Sequence, residues 1–98
     1  MQSEYLIHRL KSCEDKIRAE GIEHLSIFGS RARGQHDPDS DLDVLVEITP
    51  GHRFSLFNLS GVALLVEDAT GLSSQIVLKR SAPAHFVERI SGDLVSVF

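Results

Sequence analysis

Residues 27–34 read Ile-Phe-Gly-Ser-Arg-Ala-Arg-Gly, residues 41–46 read Asp-Leu-Asp-Val-Leu-Val, and these two stretches decide the fold. In the first, a hydrophobic run ends in the small pair Gly29-Ser30, whose backbone N–H groups can close on a phosphate without obstruction by side chains. In the second, Asp41 and Asp43 open an apolar run. On a strand their spacing sends both carboxylates to one face, with Cα atoms roughly 6–7 Å apart. A phosphate cradle facing an all-oxygen Mg²⁺ platform is what metal-assisted nucleotidyl transfer requires.

This arrangement resembles the DNA polymerase beta-like nucleotidyltransferase superfamily, in particular its smallest members, the minimal nucleotidyltransferases (MNT) that pair with HEPN-domain toxins in toxin–antitoxin systems. The resemblance implies one nucleotidyltransferase domain over residues 1–98. It also implies that Gly29 and Ser30 hold the terminal phosphates of the nucleotide, and that Asp41 and Asp43 are the catalytic acids and hold Mg²⁺. The implied reaction transfers AMP from ATP, or from another nucleoside triphosphate, to a hydroxyl of the toxin.

The family usually has a third acid on a later strand that runs along the second strand. The strand that looks equivalent here covers residues 74–80, and the position of the acid falls on Gln75. An amide coordinates metals weakly through its carbonyl and cannot act as a base near neutral pH. Two hypotheses therefore stay open. The first is an enzyme that modifies a partner protein, and the second is a catalytically impaired module that neutralises its partner by occlusion.

Arg31 and Arg33 flank the proposed phosphate site. Each of them either adds positive charge there or is solvated, and we assign a supporting role in nucleotide binding to Arg31 alone. The neighbouring Asp37 and Asp39 are interpreted as solvated turn residues. That interpretation does not suit Asp43, because an unpaired carboxylate is costly to bury among the apolar residues around it. The sequence therefore predicts that Asp43 has a cation or another partner.

The acidic run that begins at Asp37 and continues with Asp39 and Asp41 resembles the start of an EF-hand calcium loop. Such a loop needs glycine at its sixth position and a bidentate glutamate at its twelfth. Here those positions hold Leu42 and Ile48. The pattern does not favour a calcium loop.

Composition limits the function further. The 98 residues carry a net charge of −4 without a basic stripe, which disfavours a nucleic-acid acceptor and favours a protein acceptor. The only cysteine is Cys13, so no internal disulfide exists. Residues 1–20 are charged throughout, and no apolar stretch approaches membrane-spanning length, so we expect a cytoplasmic protein without membrane contact. The apolar segment 93–98 either adds to the sheet or provides a partner or self-association surface, which leaves an oligomer possible.

The predicted element order is α-β-β-α-β-α, an α/β (α+β) fold with a small mixed sheet and helices packed on it. We expect the first two strands to be antiparallel neighbours, and the helix after them to be a crossover that permits a parallel third strand. Apolar stripes are predicted on the first helix (Leu6, Leu10, Cys13, Ile17) and on the crossover helix (Leu56, Leu59, Ala63, Val66). The predicted elements are a helix from Ser3 to about 18–20, a strand at 25–28, a turn or single helical turn at 29–34, a strand at 41–48, a helix from 56 to about 69 capped by Ser55, a strand at 75–78 and a helix at 84–90 that follows Pro83.

Overall fold

The computed structural model describes residues 2–34 and 39–98, which form a four-stranded sheet with helices packed on both faces. The helices are α1 (Gln2–Lys11), α2 (Glu14–Ala19), α3 (Gly29–Arg33), α4 (Leu56–Thr70) and α5 (Ala84–Ile90). The strands are β1 (Ile22–Phe28), β2 (Leu42–Ile48), β3 (Ser74–Leu78) and β4 (Val95–Ser96). Short 3₁₀ turns occupy Lys79–Ser81 and Ser91–Asp93.

The strands lie in the order β3-β2-β1-β4, and the sheet is mixed. β1 runs antiparallel to both β2 and β4, whereas β2 and β3 run parallel. Both predicted pairings are therefore confirmed, with α4 as the crossover between the parallel strands. The C-terminal segment adds a strand to the sheet, which is the first of the two roles predicted for it.

Strict alternation along β2 divides the core between the two faces of the sheet. The side chains of Leu42, Val44 and Val46 are fully buried in the larger cluster, with residues of α1, α2 and α4. Leu45 points the other way and packs in a smaller cluster with Phe28 and Ile90 of α5. Since Asp43 lies two residues before Leu45, its side chain shares the α5 face.

The single helix predicted from a cap at Ser3 to about residue 20 is wrong in two respects, because Ser3 lies inside α1 and the structure has two helices there. The helix is interrupted at Ser12 and Cys13. The hydroxyl of Ser12 donates to the backbone carbonyl of Arg9, and the N–H of Cys13 donates to the carbonyl of Leu10 at 3.1 Å. Such local hydrogen bonds compete with helix continuation. The predicted apolar stripe persists across the break, with Cys13 partly buried against the core. Gly21 ends the segment as predicted, with φ of 106°.

The crossover helix is confirmed, but its buried face differs from the prediction. Val62 and Val66 are its fully buried residues, whereas Leu56 is 79% exposed. Leu56 is the first residue of α4. The helix start itself is as expected, because the Ser55 N–H donates to Oδ1 of Asn58 at 2.9 Å, which is half of a capping box.

β1 begins at Ile22, three residues before the predicted start. The polar residues that follow Ile22 conceal the strand pattern in the sequence, so the prediction began the strand too late. The predicted turn at 37–40 lies partly outside the described residues. Within the described parts of the chain, no helix has the length and apolar content required to cross a membrane.

Candidate active site

The predicted phosphate cradle lies where β1 ends and α3 begins. Gly29 is the first residue of α3 and has φ of 76°, a conformation that glycine adopts without strain and other residues rarely adopt. Phe28 precedes the helix and offers no side-chain acceptor to the N–H groups that open it. Ser30 follows, partly buried. The turn thus presents small residues and backbone donors at one end of the sheet.

Asp43 lies directly over this turn, because antiparallel pairing aligns it with Phe28. Its carboxylate occupies the space that a Cβ on Gly29 would need: such a Cβ would collide with Oδ2 of Asp43 and lie 3.2 Å from Cγ. Gly29 is therefore required twice, once for its backbone conformation and once for the close approach of Asp43. The structure brings the two halves of the predicted site together.

The negative charge of Asp41 acts on the carboxyl group of Asp43. Asp43 is partly buried, and that burial is the main reason that its pKa is raised; the negative charge of Asp41 raises it further, while Arg33 opposes the shift. Asp41 is exposed and lies just before β2. A cation bound by the two carboxylates would favour the ionised form of Asp43 and so offset both its burial and the negative charge of Asp41.

Gln75 takes the position predicted for the third acid. The parallel register pairs Gln75 with Asp43, so the two side chains share the α5 face on adjacent strands. The amide is exposed at the edge of the sheet. Among the described residues, no group of three or more His, Cys, Asp or Glu side chains could hold a metal ion.

Two carboxylates and a neighbouring amide nevertheless fit Mg²⁺ that arrives with a nucleotide. Such Mg²⁺ is typically bound by one or two protein carboxylates together with substrate phosphates, and it keeps several waters. The residues that would hold it are Asp41 and Asp43. The raised pKa of Asp43 fits this interpretation, since a divalent cation stabilises the ionised carboxylates.

The two arginines of α3 have different surroundings. Arg31 is only 6% exposed, and its Nε and Nη2 donate to the carbonyl oxygen of Ser40 at 3.1 and 2.9 Å. Arg33 is more exposed, and its Nη1 donates to Oδ2 of Asp93 at 2.8 Å. The nucleotide-binding role assigned to Arg31 stays a prediction. The burial of Arg31 is not predicted from the sequence, because no local pattern marks an arginine whose acceptor is a backbone carbonyl nine residues further along the chain.

Two of the cavities next to the sheet lie near different parts of it. A shallow apolar groove of about 340 Å³ is lined in part by Val77 and Phe86, and Val77 is the next residue after Gln75 on the α5 face. A larger cavity of about 540 Å³ lies at the far end of β2, where Glu47 and Lys79 form an ion pair at 3.6 Å. The groove, not the larger cavity, lies on the side of the acidic pair.

The raised pKa of Asp43 predicts that Asp43→Asn stabilises the metal-free protein at pH 7. A carboxyl whose pKa is raised by folding is less favourable when ionised in the folded state than in the unfolded state. Because the side chain is partly solvated, we expect a gain of at most about 1 kcal/mol, or a few degrees in Tm. The gain should shrink as the pH falls through the raised pKa towards the ordinary aspartate value of about 4.

Thermal unfolding of the parent and of Asp43→Asn at several pH values, in the presence of a chelator, measures this effect. Asp68→Asn removes the same charge from an exposed position on α4 and is the matched control. A metal-free Asp43→Asn protein that is less stable than the parent at pH 7 contradicts the assignment of unfavourable burial to Asp43.

The chain is similar in sequence to known nucleotidyltransferases. A family model described as nucleotidyltransferase domain matches residues 10–96, a span that contains the cradle, both acids and Gln75. A relative from Methanocaldococcus jannaschii, named provisionally as a protein adenylyltransferase, is 30% identical over 95 residues, which cover 96% of this chain and 92% of the relative.

Solved structures show the same architecture. A structure described provisionally as a minimal nucleotidyltransferase superposes with a TM-score of 0.80 at 28% identity, covering 97% of this chain and 95% of the other. The solved complex of a tri-AMPylated Shewanella oneidensis HEPN toxin with an MNT antitoxin contains a chain that superposes with a TM-score of 0.63 at 15% identity. That match covers 94% of this chain and 71% of the other, and it demonstrates likeness of fold.

Proposed function

This chain belongs to the nucleotidyltransferase domain family, as one of its minimal members, and on that premise we propose that it transfers AMP from Mg·ATP to a hydroxyl group of a HEPN-domain toxin. The observation that carries the proposal is the joining of the Gly29 turn and Asp43 at one end of the sheet, with Asp41 beside them. The protein adenylyltransferase name of the relative and the AMPylated toxin in the structurally similar complex support AMP as the group transferred.

In this reaction the residues of the chain mainly bind and orient. The backbone donors at Gly29 and Ser30 would hold the terminal phosphates, which fixes the α-phosphorus for in-line attack by the hydroxyl oxygen and for departure of pyrophosphate. Asp41 and Asp43 would hold Mg²⁺, which supplies neutralisation of phosphate charge when bound. The short turn and the register between β1 and β2 keep both groups close together.

Gln75 limits what this chain supplies. Its amide cannot accept the proton of the attacking hydroxyl near neutral pH, so we propose that a group of the partner protein accepts it. The isolated chain should then do little without its partner. The second candidate function, an impaired module that acts by occlusion, is favoured by this same residue, because the acid typical of the family is missing there.

Incubation with Mg·ATP and a HEPN-domain toxin should add one or more adenylyl groups to the toxin, measured as a mass shift. Gln75→Asp should raise the rate by about 100-fold or more, because a positioned carboxylate can accept the proton and also strengthens metal binding. Gln75→Asn matches the size of aspartate without its charge, so it is the control and should not raise the rate.

The outcomes separate the two candidate functions. Modification of the toxin by the parent supports the enzyme. A parent that binds the toxin tightly, leaves it unmodified and gains activity only as Gln75→Asp is the occluding module instead. If neither form transfers a nucleotide, both the enzyme proposal and the role given to Gln75 are wrong.

A further inference from the structure

We infer that Arg31 is a positioning residue that holds Asp41 in place for metal binding, which differs from a direct contact with the nucleotide. Arg31 is the one charged side chain classed as buried among residues 2–34 and 39–98, with 6% of its surface exposed. Burial of a guanidinium is costly unless hydrogen bonds fix it. Its Nε and Nη2 both donate to the carbonyl oxygen of Ser40, at 3.1 and 2.9 Å. The inference rests on the proposed function, since it takes Asp41 as a metal ligand.

The acceptor of these hydrogen bonds lies immediately before Asp41. The carbonyl of Ser40 and the N–H of Asp41 belong to one planar peptide group, so fixing the carbonyl fixes the direction in which the backbone enters Asp41. On the other side, the N–H of Leu42 donates to the carbonyl of Ser73 at 2.9 Å. Asp41 thus lies between two anchored peptide groups although its own side chain is exposed.

The same side chain also joins the two halves of the site. Arg31 belongs to α3, the short helix that begins at Gly29, and its guanidinium reaches the start of β2. The distance between the phosphate cradle and Asp41 is therefore set by one side chain as well as by the sheet. A metal ligand that is fixed before the metal arrives loses less conformational freedom on binding.

Arginine suits this role and lysine does not. The planar guanidinium presents parallel donors in a fixed orientation, whereas an ammonium group on a flexible stem is a point charge with no fixed fork. Arg31→Lys keeps the charge near the site and loses the forked contact with Ser40. If charge alone mattered, as in simple attraction of phosphates, the substitution would change little.

The test measures binding of Mn²⁺ alone to the full chain, without nucleotide, by water-proton relaxation. We expect Arg31→Lys to weaken Mn²⁺ binding by about 10- to 100-fold, the range seen when groups that orient metal ligands are changed. In an Asp41→Asn background the same substitution should have no further effect, because its route to the metal has been removed. In an Asp43→Asn background it should still weaken binding.

Each outcome decides a defined point. Equal weakening by Arg31→Lys in both backgrounds means general support of the fold and overturns the inference. Full Mn²⁺ affinity in Arg31→Lys overturns it as well, while leaving the proposed function in place if Asp41→Asn weakens binding. Unchanged Mn²⁺ binding in Asp41→Asn removes the metal assignment on which both the inference and the proposed function rest.

A measurement on the parent keeps the test independent of how well the variant folds. By NMR, the Nε–H of Arg31 should be protected from solvent exchange in the metal-free protein, and pyrophosphate added without metal should leave its resonance in place. A Nε–H that exchanges freely, or one that shifts strongly on addition of pyrophosphate alone, overturns the inference and supports direct contact with phosphate.

Discussion

Asp41→Asn combined with Asp43→Asn is expected to abolish Mg²⁺-dependent ATP binding and nucleotide transfer. Asp41 and Asp43 are the two carboxylates at the cradle. Among the described residues, the neighbour of Asp43 on β3 is Gln75, whose amide coordinates a metal ion only weakly. Asparagine keeps the shape of each side chain but removes the charge that holds a divalent cation. Calorimetric titration with Mg·ATP should show no binding, and the fold should remain intact, because neither side chain belongs to the buried core.

The matched control changes the net charge by the same amount elsewhere. Asp15→Asn with Asp68→Asn removes two carboxylates from exposed positions on α2 and α4, and it should bind Mg·ATP like the parent. Unchanged calorimetric binding in the Asp41 and Asp43 double variant shows that the metal and the nucleotide lie elsewhere. A loss in the control of the same size means that net charge, and not this site, determines binding.

Gly29→Ala is expected to lower the transfer rate by about 100-fold or more and also to destabilise the fold. The phosphates are predicted to lie at this turn, and the backbone conformation and surroundings of Gly29 explain the loss of stability. With φ of 76°, any Cβ at this position carries backbone strain of about 1–2 kcal/mol. The same Cβ would displace the carboxylate of Asp43, and misplacement of a catalytic group by about 1 Å can cost about 100-fold in rate.

Gly71→Ala separates the two contributions. Gly71 ends α4 with φ of 73°, and a Cβ there would meet no atom within 4 Å. It therefore carries similar backbone strain without the collision. Thermal unfolding should show a larger loss of stability for Gly29→Ala than for Gly71→Ala, and only the former should lose activity. Equal losses of stability and full activity in both variants would mean that Asp43 moves aside without consequence.

Much of this site follows from residue types and spacing because its contacts are local or set by strand register. A strand that ends just before Gly29 and another that begins near Asp43 must place those residues together if the strands are antiparallel neighbours. The assignment of Gln75 to the position of the third acid comes from the family resemblance, and the parallel register pairs it with Asp43. The strand pairing itself depends on periodicity and chain direction, which the sequence expresses directly.

Other features depend on contacts that no local pattern expresses. The break between α1 and α2 is hidden because Leu10, Cys13 and Ile17 face the core on both sides of it. Leu56 fits the apolar helical repeat of α4 but is 79% exposed, which the repeat alone does not express. The buried contact between Arg31 and the Ser40 carbonyl joins residues nine positions apart, which no local pattern expresses.

Under the proposed function, the place of Gln75 has a consequence for how activity is gained and lost during evolution. β3 is an edge strand, and the side chain of Gln75 is exposed, so a replacement there disturbs no packed core. Exchange of amide for carboxylate at such a surface position typically changes stability by less than about 0.5 kcal/mol. Catalytic activity can therefore change through substitution of this one residue while the fold and its surfaces stay the same. Selection for binding a partner would not preserve an acid at this position; only selection for the chemistry would.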